Sequence, residues 1–168
     1  MDHVTRLRIE PFEKRHVRTL FACGNTALDE YLQQYARQND DKNLSKTFVA
    51  ADSARRVFGY YSVNASRVEF DELPTDLNQR LPHYPVSAAL IARLAVDATL
   101  AGQGLGARLL VDALQRISSA AKELAVKVIV VDALDDKARG FYQHFGFVEL
   151  PGQELKLYMP LETVNRLF

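Results

Sequence analysis

The sequence predicts a mixed α/β fold: a mostly antiparallel sheet flanked by helices, with one central parallel βαβ step. Three observations carry that reading. Val86–Val96 is rich in Ala, Leu, Ile and Val, as a buried central strand should be, and a long helical pattern and a second β-branched run, Val126–Val131, come after it. Before it, short alternating segments are joined by polar turns, which is the pattern of a hairpin. After Asp132 only 36 residues remain, too few for the further βα units of a doubly wound sheet. With 168 residues, the chain is expected to form one domain over 1–168, with a core that needs no staples.

Each element has a local reason. Thr5–Glu10 alternates Leu7 and Ile9 with Arg6 and Arg8, a half-buried first strand that Pro11 stops. Asn25 is suited to cap a helix from Thr26 to about Gln38. The apolar stripe of that helix is Leu28, Tyr31, Leu32, Tyr35 and Ala36, at the spacing a core-facing helix needs. The polar stretch Asn39–Ser45 reads as a loop, and Thr47–Ala51 with Val57–Val63 as a hairpin. Glu69–Pro85 contains Pro74, Pro82 and Pro85 and reads as a long connection with one helical turn, expected to shape the acceptor side of a site. The helix from Gly104 to Leu124 turns Leu109, Leu110, Ala113, Leu114, Ile117, Ala120, Ala121 and Leu124 inward. A short helix over Asp136–His144 comes next, capped by the Asp135–Asp136 pair, and Phe147–Leu150 and Leu155–Met159 are the last strands.

Composition excludes several classes. Twenty-one Lys and Arg balance twenty-one Asp and Glu, which argues against a basic nucleic-acid coat and against an acidic tail. Cys23 is the only cysteine, so neither an intramolecular disulfide nor a multi-cysteine zinc site is available, and no metal is expected. No run of 18 apolar residues and no apolar N-terminal stretch occur, which points to a cytoplasmic protein with no membrane contact.

The chemistry concentrates at the end of the buried strand. Arg93-Leu94-Ala95-Val96-Asp97 leads through Ala98–Ala101 into Gly102, Gly104 and Gly106, and these open the long helix. Glycine permits positive φ and close backbone approach, and a helix start offers unpaired N–H groups and partial positive charge. Together they cradle a pyrophosphate. A plain strand-to-helix turn would need fewer glycines. A Walker A loop is excluded because no Gly-Lys-Ser/Thr is present after the turn. The string Gly102-x-Gly104-x-x-Ala107, with Asp132 at the end of the next strand, matches a dinucleotide fingerprint, but four residues separate Asp97 from Gly102 where that fingerprint wants an immediate turn.

On these residues the sequence resembles the GNAT superfamily of acetyl-CoA-dependent N-acetyltransferases. The family pattern R/Q-x-x-G-x-G/A is matched by Ala101-Gly102-Gln103-Gly104-Leu105-Gly106, with Ala101 departing from the first position. A second family pattern, A-x-x-F-Y-x-x-x-G-F, is matched by the segment from Ala138 to Phe147. Phe21-x-Cys23-Gly24, Leu28-Asp29-x-Tyr31-Leu32, Thr47-Phe48-Val49, Gly59-Tyr60-Tyr61-Ser62 and Ala92–Asp97 look like the GNAT toxins of type II toxin–antitoxin pairs, over most of the chain. The resemblance implies acetylation of the α-amino group of aminoacyl-tRNA and a block of translation. It also implies a ribbon-helix-helix antitoxin and a homodimer as partners. The alternative is a GNAT enzyme acting on a small-molecule amine or a protein N-terminus.

For acetyl-CoA the implied binding residues are Leu94, Ala95, Val96, Ala101, Gly102, Gln103, Gly104, Leu105, Gly106, Ala107, Arg108, Asp132, Asp136, Phe141 and Tyr142. The helix-start amides take the pyrophosphate. The amide-rich pantetheine arm pairs with the backbone of Leu94 and Val96 like an added strand. By the same analogy the Val96 N–H faces the thioester carbonyl as an oxyanion donor, and Tyr142 is the general acid for the departing thiolate. Adjacent helical residues point about 100° apart, so Phe141 is expected to face the core and Tyr142 the cleft. No Glu or His stands in a motif that demands a base. That suits an α-amine of pKa about 7.7–8.0 better than a lysine near 10.4. His144 reads as a surface residue and Cys23 as a packing residue. The basic clusters Arg6/Arg8, Lys14/Arg15/Arg18, Arg37/Lys42/Lys46 and Arg55/Arg56 with Arg93 and Arg139 are candidates for RNA phosphate contact or for solvated faces.

Overall fold

A computed structural model describes Asp2–Phe168. Its strands are β1 (Arg8–Pro11), β2 (Lys46–Ala51), β3 (Val57–Val68), β4 (Val86–Val96), β5 (Val128–Asp132), β6 (Val148–Leu150) and β7 (Gln153–Pro160). Its α-helices are α1 (Thr26–Glu30), α2 (Ala36–Asp41), α3 (Thr75–Asn78), α4 (Leu105–Ala120), α5 (Asp136–His144) and α6 (Leu161–Asn165). The strands hydrogen-bond in the order β1-β2-β3-β4-β5-β7-β6. The pairs β1–β2, β2–β3, β5–β7 and β6–β7 are antiparallel and β4–β5 is parallel, the mixed fold the sequence predicts.

The chain divides into two compact units. One runs to Asn64 and resumes over Ala92–Leu114; the other comprises Ala65–Ile91 and Gln115–Phe168. In the first, the helices after Asn25 cover a face built from Val49, Ala51, Val57, Tyr60 and Ala95, and Phe12, Phe21, Tyr31, Leu32 and Ala36 fill the space between. The opposite face of β3 meets α4. A Cβ on Gly59 would stand 2.9 Å from Leu109 Cδ1 and 3.2 Å from the Ala95 carbonyl oxygen. A side chain at this position would force Leu109 or the Ala95 carbonyl to shift. In the second unit, Val68, Leu73, Val86, Val128, Val130 and Tyr158 form the core, with Leu77 and Leu81 of the long connection packed on it. The parallel register runs from Ala88↔Val128 to Ile91↔Val131, and β4 continues beyond it to Val96.

Several boundaries differ from expectation. Val4–Arg6 is a 3₁₀ turn, so β1 begins only at Arg8 and carries Pro11 as its last residue. Asn25 does cap α1, its Oδ1 accepting from the Leu28 N–H at 3.0 Å. The helix then passes through a π turn at Tyr31–Tyr35 and continues as α2 to Asp41, into the stretch expected to be a loop. A π turn adds a residue to the cycle and rotates the later residues about the helix axis. Tyr35 is therefore 50% exposed, although Tyr31, Leu32 and Ala36 are buried as expected. The long helix α4 stops at Ala120, which leaves Leu124 in solvent, and α6 has no counterpart in the sequence reading.

Candidate active site

In the first unit the glycine turn is held at both ends by buried side chains. Leu100 and Leu105 are 5% and 1% exposed, while Ala101, Gly102, Gln103 and Gly104 between them lie open. Gly102 and Gly104 have φ of +76° and +86°, and a Cβ at either would meet nothing within 4 Å. Backbone conformation, not crowding, requires glycine here. α4 begins at Leu105, and the first amide it uses internally is that of Arg108, which donates to the Gly104 carbonyl at 3.2 Å. The amides of Leu105, Gly106 and Ala107 have no acceptor within the helix. They lie unspent at the positive end of a helix of 16 residues, an arrangement suited to an anion.

Arg108 itself is committed elsewhere. Its guanidinium donates to the Val4 carbonyl and, at 3.1 Å, to that of Leu7, tying the start of α4 to the N-terminal turn. With its amide also spent, it is not among the free donors at the turn.

The end of β4 depends on Asp97, whose part the sequence reading did not identify. Its carboxylate is 2% exposed and accepts from the Thr99 hydroxyl at 2.7 Å, the Thr99 amide at 3.0 Å and the Ala22 amide at 3.1 Å. Its own amide donates to the Phe58 carbonyl at 2.8 Å. Burial alone would raise its carboxyl; the three hydrogen bonds, with Arg56 nearby, outweigh that and hold it below the usual carboxylate range. Asp97 thus caps the 3₁₀ turn Ala98–Leu100 and anchors the loop at Ala22. Leu94 and Val96, just before it, are half-buried.

In the second unit α5 is capped as expected, Asp135 accepting from the Ala138 amide at 2.8 Å. Gly146, at φ +97°, closes its far end in the left-handed conformation common after helices. That geometry explains the spacing of the Phe-Tyr and Gly-Phe pairs: the Gly146 turn brings Phe147 back edge-on to Tyr142, ring centroids 5.6 Å apart. Tyr142 is the more buried of the adjacent pair, 5% exposed against a half-buried Phe141, which reverses the expected facing. Burial, and secondarily the negative Asp132, push its phenol well above the ordinary value, so it holds its proton throughout the neutral range. Asp132 lies exposed at the end of β5, opposite Lys156 of β7. Asp136 pairs with Arg139 at 3.3 Å on the open first turn of α5.

Three of the remaining basic candidates have acidic partners. Arg15 pairs with Glu13, Arg37 with Asp41 and Lys46 with Asp40. Burial and the neighbouring Asp29 raise the Cys23 thiol to about 11, too high for a thiolate nucleophile. His144 is exposed. Among the described residues no group of acidic, His and Cys side chains could hold a metal, and no helix is long and apolar enough to cross a membrane.

A strand leading into a left-handed glycine turn with three spare helix-start amides, then a parallel strand and a tyrosine-bearing helix, defines an acetyl-CoA-type acyltransferase frame. The chain belongs to the GNAT acetyltransferase family: residues 16–156 match the acetyltransferase (GNAT) domain. It is 36% identical over 149 residues to a tRNA-acetylating toxin of Mycobacterium tuberculosis (strain ATCC 25618 / H37Rv), spanning 89% of each chain. Its fold is similar to that of AtaT complexed with acetyl-methionyl-tRNAfMet, with a TM-score of 0.90, 28% identity and coverage of 96% of this chain and 99% of that one. It is also similar to a tyrosine-to-phenylalanine mutant of the toxin AtaT bound to the C-terminus of the antitoxin AtaR and acetyl-CoA. The TM-score there is 0.84, with 26% identity and coverage of 97% and 98%.

Proposed function

We propose that this protein transfers the acetyl group of acetyl-CoA to the α-amino group of an aminoacyl-tRNA in the cytoplasm. It thereby removes charged tRNA from translation and acts as a toxin restrained by an antitoxin. The observation that carries the reading is the open turn Ala101–Gly104, whose two left-handed glycines lead to three unspent amides. The residues present fit a diphosphate there. A Cβ at Gly102 or Gly104 would meet nothing within 4 Å, and the Ala101 amide, expected among the donors, is instead spent on the Ala98 carbonyl at 3.3 Å, which leaves the three helix-start amides to the diphosphate.

The amides of Leu105, Gly106 and Ala107 grip the diphosphate of the cosubstrate. The backbone of Leu94 and Val96 aligns the pantetheine arm as an added strand. The Val96 N–H is directed at the carbonyl oxygen, where negative charge grows as the amine nitrogen bonds to the carbonyl carbon; such a donor is worth about 3–4 kcal/mol in other acyl-transfer sites. The carbon–sulfur bond breaks, Tyr142 gives its proton to the sulfur, and the proton that the nitrogen loses passes through water to restore the Tyr142 phenol. The products are an N-acetyl aminoacyl-tRNA and free thiol. Tyr142 suits the acid role because its buried phenol stays protonated at neutral pH.

The test is incubation with isotope-labelled acetyl-CoA and charged total tRNA, then mass spectrometry of the released aminoacyl groups. Label on α-amino nitrogens supports the reading. Label on small amines or protein N-termini, with none on charged tRNA, refutes it.

A further inference from the structure

β4 carries, three residues before Val96, a half-buried cation, Arg93, that has no acidic partner among the described residues. The Arg93 guanidinium carbon lies 3.5 Å from the centroid of the Tyr31 ring. Its one hydrogen bond is long, 3.5 Å from Nη1 to the Ser62 hydroxyl. Among the described residues no carboxylate pairs with it. Arg37, Lys46 and Arg139 each have an acidic partner. A guanidinium offers five donors in a planar fork, and here the fork is almost wholly unspent.

Its surroundings place it. Alternation along β4 puts Arg93 on the face of Ala95, which packs with Tyr31 and Tyr60, and away from Leu94 and Val96. Gly59, one residue before Tyr60, points to the other face and meets Leu105 and Leu109 of α4. Arg93 therefore stands on the face opposite the helix that presents the amides for the cosubstrate. Beside it, Ser62 is fully buried and faces Thr47 across the β2–β3 register. The Thr47 hydroxyl is buried without a hydrogen-bond partner. A polar strip with spare capacity thus crosses an otherwise aromatic face.

We propose that Arg93 recognises the acceptor's negative charge: stacked on Tyr31, its fork takes the oxygens of a phosphodiester in the single-stranded 3′ end of the RNA. This rests on the aminoacyl-tRNA reading above. The α-amino group and its ester carry no anion, so the fixed charge nearest the reacting nitrogen on such a substrate is a backbone phosphate. Planar, paired recognition of phosphate is the role to which Arg is suited and Lys is not.

Arg93→Gln and Arg93→Lys are assayed with three probes: a tRNA charged with a neutral amino acid, the same tRNA uncharged, and a 3′-aminoacyl adenosine that lacks phosphate. Arg93→Gln should shift preference away from the charged tRNA and toward the aminoacyl adenosine by about tenfold. The KM for acetyl-CoA should not move. Binding of uncharged tRNA should lose about 0.7 from the slope of log affinity against log salt, the signature of one lost single-strand phosphate contact. Arg93→Lys should keep the slope and lose part of the preference; it also serves if the Gln variant folds poorly. An unchanged slope, or equal losses on both acceptors, overturns the proposal. So does an effect confined to tRNAs charged with Asp or Glu, which would assign Arg93 to the amino-acid side chain. If the native protein acetylates the aminoacyl adenosine but neither binds nor acetylates tRNA, the functional reading fails; a failure confined to the variants sinks only the role of Arg93.

Discussion

Replacing Asp97 by Asn tests how the end of β4 is held. The two carboxylate oxygens serve different partners: one takes both the Thr99 amide and hydroxyl, the other the Ala22 amide. An asparagine has one acceptor oxygen, so in either orientation its NH2 group faces a buried donor. A hydrogen bond to a charged group is worth about 1.5–3 kcal/mol, and a stranded buried donor costs a similar amount. The expected loss at pH 7 is therefore about 2–3 kcal/mol, a fall in Tm of roughly 6–9 °C for a chain of this size. Because the folded carboxyl sits below its unfolded value of about 3.9, the stabilisation is complete above that pH and is lost as pH falls through the folded value. Thermal melts of both proteins between pH 8 and pH 3 should show a constant gap down to about pH 5 that closes below about 3.9. No gap at pH 7, or a gap that persists undiminished at pH 3, would refute this account of Asp97.

Four further outcomes are expected. Gly104→Ala forces a side chain into φ +86° and should raise the KM for acetyl-CoA, with a stability loss of about 1–2 kcal/mol, measured by calorimetric titration and by melting. Gly59→Ala must displace Leu109 or the Ala95 carbonyl, and should cost about 1–3 kcal/mol in denaturant unfolding while leaving acceptor choice unchanged. Tyr142→Phe should cut kcat by about 100-fold or more with little change in acetyl-CoA affinity. In the native protein the rate should rise as the acceptor amine loses its proton near pH 8 and show no decline from Tyr142 below pH 10, read from a pH–rate profile.

The fold class and β4 were legible because a both-faces-buried strand, a glycine turn and an amphipathic helix are each written in local residue types. Asn25 and Asp135 were legible as caps for the same reason. The π turn was not: Leu28, Tyr31, Leu32, Tyr35 and Ala36 satisfy α-helical spacing, and only tertiary packing inserts the residue that expels Tyr35. Leu124 looked like the next inward position of a helix that in fact stops at Ala120. α6 is too short, at five residues, for any periodicity to register. The glycine turn was legible in its motif, but the partners of Arg108 lie more than 100 positions away and those of Asp97 up to 75, distances at which no spacing rule operates. The unpaired state of Arg93 was hidden for the same reason, since charge counts are blind to which cations find carboxylates.

The most direct measurement is an amide-resolved NMR titration with acetyl-CoA and, separately, with S-acetyl-pantetheine, which lacks the diphosphate. The N–H signals of Leu105, Gly106 and Ala107 should move strongly with the first and remain still with the second, while Val96 responds to both. If those three amides ignore acetyl-CoA at saturation, the diphosphate is held elsewhere and the assignment of this turn is wrong.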